Sequence, residues 1–113
     1  MNDARLEAVL TATVDSVVSL TLTVANPASS PATIGFSSSQ RYDFLAVASQ
    51  GASDWRWADG QMFAQMLGAV TLAPGEALVF TERWRAAPGS YRVTGRLTST
   101  THRAEATIVV TVP

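Results

Sequence analysis

In SVVSLTLTVA, residues 16–25, apolar side chains fall on every second position. Val18, Leu20, Leu22 and Val24 face one way, while Val17, Ser19, Thr21 and Thr23 face the other. A strand turns successive side chains to opposite faces, so the run predicts a strand with one buried face. A helix would scatter the same residues around its axis. Asn26-Pro27 ends the run, because proline donates no ladder hydrogen bond and asparagine suits a turn.

The same period returns along the chain. Leu6 to Val14 alternates more weakly and reads as an edge strand. Ile34-Gly35-Phe36 and Tyr42 to Val47 are shorter strands, separated by the polar link Ser37 to Gln40. Gln50-Gly51 is a turn signal, and Asp54 to Trp57 resumes extended chain. Ala73-Pro74-Gly75 turns into Ala77 to Trp84, where Leu78, Phe80 and Trp84 share a face. Glu82 has that same parity, which calls for either a bulge or an arginine partner. Ala87-Pro88-Gly89 leads into Tyr91 to Thr98, with Tyr91, Val93 and Leu97 inward and Arg92 and Arg96 outward. The last strand, Ala104 to Val112, puts Ala106, Ile108, Val110 and Val112 on one side.

One segment departs from this period. Met62, Phe63, Met66 and Leu67 recur at helical spacing between Asp59, a capping residue, and Gly68, a stop. The spacing predicts a short helical turn near residues 60–67. About seven short strands with turn signals between them predict an all-β, immunoglobulin-like β-sandwich forming a single domain over residues 1–113. Tyr91, just after Pro88-Gly89-Ser90, stands where such sandwiches bond a tyrosine hydroxyl back to upstream backbone. An ordinary inward tyrosine is the plainer alternative.

Composition narrows the chemistry. The 113 residues contain no cysteine, which excludes disulfides, thiolate metal sites and a thiol nucleophile, and fits a reducing compartment. All eight basic residues are arginines, so lysine chemistry is excluded too. The net charge is −1 with no run of like charges, and nucleic acid needs a basic face. MNDARLEAVL lacks the apolar core of an export signal, and no stretch approaches a membrane span. The expected location is the cytoplasm, with neither nucleic acid nor membrane as partner.

Catalytic arrangements find little support. His102 lies in the polar run Ser99-Thr100-Thr101-His102, and no serine has a Gly-x-Ser-x-Gly setting. Asp54 and Asp59 would pair only if the chain folded back between them, and capping or turn roles account for both. They do not make the spaced acidic pattern of a calcium loop, and there is no glycine-rich phosphate loop. No catalytic, cofactor-binding or metal-binding residue is assigned, and the expectation is a protein that is not an enzyme.

SDWRWADGQMF, residues 53–63, is the chemically distinctive stretch. Trp55 and Trp57 would share one face of a strand with Arg56 opposite. Both indoles can be read as sandwich core, or as a partly exposed anchor beside Arg41, Arg56 and Phe63. Tryptophan and arginine are enriched at binding hot spots. Met62 and Phe63 carry the same ambiguity between closing the core and meeting a partner. Arg41, Trp55, Arg56, Trp57, Met62 and Phe63 are therefore the candidate partner-binding residues.

FSSSQRYDF (Phe36 to Phe44), DWRWADGQMFAQ (Asp54 to Gln65), LAPGE (Leu72 to Glu76) and PGSYRVTG (Pro88 to Gly95) occur in this order, after Val24-Ala25-Asn26. Together they resemble the blocks of the intracellular proteinase inhibitor, or BsuPI-type, family from about Leu20 to the end. The resemblance implies an immunoglobulin-like sandwich and a protein partner, for the named member a cytoplasmic subtilisin-like serine protease. It places no reactive-site residue on a position here. Three loops are candidates for contact: Ser37 to Arg41, Asp59 to Phe63, which is preferred, and Ser99 to Arg103. None has a disulfide or a stiffening proline. The alternative function is a non-inhibitory immunoglobulin-like module that docks on another protein.

Overall fold

The computed structural model describes residues 5–113, so the part of the export-signal reading that falls on Met1 to Ala4 lies outside the described residues. Among the described residues nine strands follow in chain order: β1 (Glu7–Val14), β2 (Val18–Ala25), β3 (Ala32–Phe36), β4 (Tyr42–Ala48), β5 (Trp55–Arg56), β6 (Gly68–Leu72), β7 (Ala77–Trp84), β8 (Gly89–Leu97) and β9 (Glu105–Val112). The alternating run becomes β2, the middle strand of an antiparallel sheet ordered β1-β2-β7. Its Val18, Leu20, Leu22 and Val24 are all buried.

A four-stranded sheet, β5-β4-β8-β9, packs against the first, and β3 and β6 form a separate pair. Side chains of the two larger sheets meet directly. Tyr42 on β4 stacks on Phe80 of β7 at 4.5 Å, and Trp55 on β5 stacks on Trp84 of β7 at 5.1 Å. Each fully buried aliphatic or aromatic side chain there contributes about 1.5–3 kcal/mol. In β8, Tyr91, Val93 and Leu97 point inward as their parity requires. Gly95 shares that face by parity, and a methyl group there would meet the Phe44 ring at 3.1 Å and Leu10 at 3.3 Å. The molecule is an immunoglobulin-like β-sandwich, 46 × 29 × 21 Å.

Turns named by the sequence are built as their chemistry demands. The Tyr91 hydroxyl donates to the Ala87 carbonyl at 2.6 Å, fastening the corner before β8. Ala73 and Glu76 close a turn with Gly75 at φ +82°, the pattern of Pro74-Gly75 in a type II turn. The Glu76 carboxylate also accepts from the Ala73 amide. Asn26 does more than end β2. It is fully buried, donates through Nδ2 to the carbonyls of Ser30 and Leu72, and accepts from the Ala28 amide. Its backbone pairs with Glu76 and Gly75, so one residue joins the end of β2 to the β6–β7 turn.

Three expectations need correction. Residues 60–67 form no helical turn, and there is no helix among the described residues. Residues 57–60 make a turn, with Asp59 bonded to Arg56 and Gln61 to Ala58, and irregular chain follows. A helix survives when its apolar stripe is buried, but Met62 is 96% and Leu67 86% exposed. Gly68, expected to stop that helix, instead opens β6, a strand that the alternation did not reveal. Glu82 has neither a bulge nor an arginine. The β2–β7 register runs unbroken past Leu20↔Glu82, and the Tyr42 hydroxyl donates to its carboxylate.

Candidate protein-binding site

The three candidate loops lie at one end of the sandwich, tied together through the residues that flank them. Loop 37–41 joins β3 to β4 and is bonded on both sides. Ser39 donates its amide to the Ala64 carbonyl at 2.9 Å, and its Oγ accepts the Ala64 amide at 2.8 Å. On the other side, Thr98 donates its amide to the Arg41 carbonyl and its hydroxyl to that of Gln40. Loop 99–103 is tied in turn to β3: Ser99 Oγ and the Thr100 amide reach the Gly35 carbonyl, and the Gly35 amide reaches Thr101 Oγ1. Backbone amides and side-chain hydroxyls share this fastening.

Arg41 braces this end from within. Its guanidinium lies 4.3 Å from the Phe36 ring centroid and donates to the Ser38 carbonyl at 2.8 Å. That approach is a cation–π pair between Arg41 and Phe36. Trp55 is half-buried against Trp84, whose edge meets Tyr91 at 4.7 Å. Trp57 belongs to a second series. Phe80, Tyr42, Trp57 and Phe63 follow one another at centroid spacings of 4.5, 4.5 and 5.8 Å. Phe63 is half-buried at the outer end of that series, whereas Met62 projects.

Arg56 faces away from both indoles, and its Nε donates to Asp43 at 2.7 Å. That hydrogen bond, followed by charge attraction, raises the guanidinium above its ordinary pKa range. Asp43 is almost wholly buried, and its Oδ1 accepts the amides of Phe44 and Ala58. It therefore fixes the chain where β5 leaves for the 58–67 loop. Nothing in the run Tyr42-Asp43-Phe44 marked Asp43 beforehand, because its role depends on residues 13 and 15 positions away.

The same geometry gives the polar residues ordinary work. Asp54 accepts the Ala48 amide across the β4–β5 connection. Ser99 Oγ accepts the amides of Thr101 and His102, and His102 Nδ1 pairs with Thr101 Oγ1 at 2.7 Å. An open concavity of about 520 Å³ lies against this loop. Among the described residues no three His, Cys, Asp or Glu side chains gather as metal ligands. No described helix is long and apolar enough to cross a membrane.

Fold and loops together define an immunoglobulin-like sandwich with its β3–β4, β5–β6 and β8–β9 connections fastened at one end. The sequence model of the intracellular proteinase inhibitor family, BsuPI, matches residues 6–109, and the chain belongs to that family. No curated protein matches it significantly. Among solved structures, it is similar to a Bacteroides uniformis β-glucuronidase and to the B. uniformis β-glucuronidase 2 covalently bound to cyclophellitol-6-carboxylate aziridine. Identity is 15% in both cases, with TM-scores of 0.44 and 0.43. The match covers 96% of this chain but 13% of each of those chains, and at such scores it says nothing about function.

Proposed function

We propose that this chain inhibits a subtilisin-like serine protease of the cytoplasm by laying its fastened loop end over the active-site cleft. Membership of the intracellular proteinase inhibitor family across residues 6–109 carries this reading. The geometry supports it. An inhibitor gains affinity when its binding loop is held in place before contact, since less freedom is then lost. The hydrogen bonds of Ser39, Ala64 and Thr98 supply that restraint without cysteine. Met62 and Phe63, backed by Trp57, form the apolar contact, while Arg41 and Arg56–Asp43 hold the chain beside it and Trp55 packs into the core against Trp84. The chain acts by binding and performs no chemistry of its own.

A second reading, docking on some other protein, draws on the outer face of the β4–β8–β9 sheet. There Leu45, Val47 and Val109 are exposed, and Arg92 pairs across strands with Val47 and Val109. Titrating a subtilisin-type protease with the purified domain while following peptide hydrolysis separates the two. A stoichiometric endpoint supports inhibition. Full activity at excess folded domain rejects it and leaves the outer face as the better reading.

A further inference from the structure

The 58–67 loop has a feature that follows from neither the fold nor the family. Its chain is pinned at two points with one free apolar side chain between them. On the first side, the Gln61 amide is bonded to the Ala58 carbonyl at 3.1 Å, just after Gly60 at φ +82°. On the second, Phe63 packs against Trp57, and Ala64 makes its pair of hydrogen bonds to Ser39. Met62 stands between these points, 96% exposed, with an unbranched thioether chain that adapts to an apolar pocket. Leu67 is also exposed, at 86%, but it immediately precedes β6 and lies outside the pinned interval.

We propose that Met62 is the side chain that fills the primary specificity pocket of the target protease. The proposal rests on the inhibitor reading above and makes the target an enzyme with a deep, uncharged pocket that accepts long apolar side chains. The restraint on either side lets Met62 enter that pocket while the flanking backbone keeps its shape. An acidic side chain at the same place would bury an unpaired charge. An arginine would instead suit a pocket with a carboxylate at its base, as in trypsin-type enzymes.

The test titrates one subtilisin-type and one trypsin-type protease with the parent domain, Met62→Asp, Met62→Arg and Leu67→Ala. Thermal melts establish that each variant folds, as the exposure of both positions leads one to expect. The parent and Leu67→Ala are expected to inhibit the subtilisin-type enzyme within a few-fold of one another. Met62→Asp is expected to lose roughly 30-fold or more, the size of a hot-spot truncation. Met62→Arg is expected to gain inhibition of the trypsin-type enzyme. A parent that inhibits while both Met62 variants behave identically to it overturns the assignment and leaves the inhibitor reading standing. A folded parent that inhibits neither enzyme removes that reading, and the assignment with it.

Discussion

Asn26 and Tyr42 show how much of this fold rests on single polar atoms. Asn26 is completely enclosed, and its amide serves carbonyls 4 and 46 positions away. Replacing it with alanine strands the Leu72 carbonyl, and leaving such a group unpaired costs about 2–3 kcal/mol. Urea unfolding of Asn26→Ala is expected to show a lower midpoint with an unchanged slope. Tyr42 makes a pH-dependent contribution. Burial first, and then the hydrogen bond and charge of Glu82, push its phenol well above the ordinary value of 10.0. In the unfolded chain the phenol loses its proton at about pH 10, whereas the folded protein retains it. The contribution is therefore complete below about pH 10 and is lost as pH rises toward the folded value. Stability measured from about pH 9 upward is expected to fall less steeply in Tyr42→Phe than in the parent. Equal slopes would show that the Tyr42 phenol is not shifted.

Among the elements, strands with an alternating buried face were legible from sequence and the loop elements were not. β2 and β8 could be read residue by residue, because each buries one parity against a full sheet. β6 was not legible. Its Gly68-Ala69-Val70-Thr71-Leu72 carries two small residues and pairs only with β3, so its pattern is weak. The spacing at 60–67 predicts a helix that does not form, because helical spacing is informative only when the spaced residues are buried, and Met62, Met66 and Leu67 project while only Phe63 is covered. The fastening of the loops was invisible for another reason: Ser39, Ala64 and Thr98 are separated by 25 or more positions, and no local pattern records their meeting. Of the six candidate residues, the sequence brought Trp57 and Phe63 into a common stretch, but their contact needed the turn at 57–60. Ser39→Ala tests what that fastening does. It removes the Oγ acceptor of the Ala64 amide while sparing the core, so the melting temperature is expected to change little. The 61–67 amides are expected to exchange faster with solvent, and inhibition to weaken about tenfold, the equivalent of one hydrogen bond's net worth. An unchanged exchange rate would show that the loop is held by other contacts.

At the scale of the molecule, the sandwich places its Tyr91 corner and its loop cluster at opposite ends. The corner fastened by Tyr91 and Ala87 precedes β8, whereas the loops cluster beyond Leu97 at its far end. The strands between hold the two ends apart in a molecule 46 Å long. Several sequence blocks shared with the family resolve into support in this arrangement: Asn26 at the end of β2, the Leu72 to Glu76 turn, and the Pro88 to Tyr91 corner. The Trp55 to Phe63 block runs from core to solvent, with Trp55 against Trp84 and Met62 exposed. The central claim is that the loop end meets a protease. Its most direct test records backbone amide spectra of the labelled domain with a subtilisin-type protease whose nucleophilic serine is replaced by alanine. Shifts concentrated at residues 37–41, 58–67 and 98–103 are the predicted result. Shifts centred on Val47, Arg92 and Val109, or none at saturating protease, would contradict it.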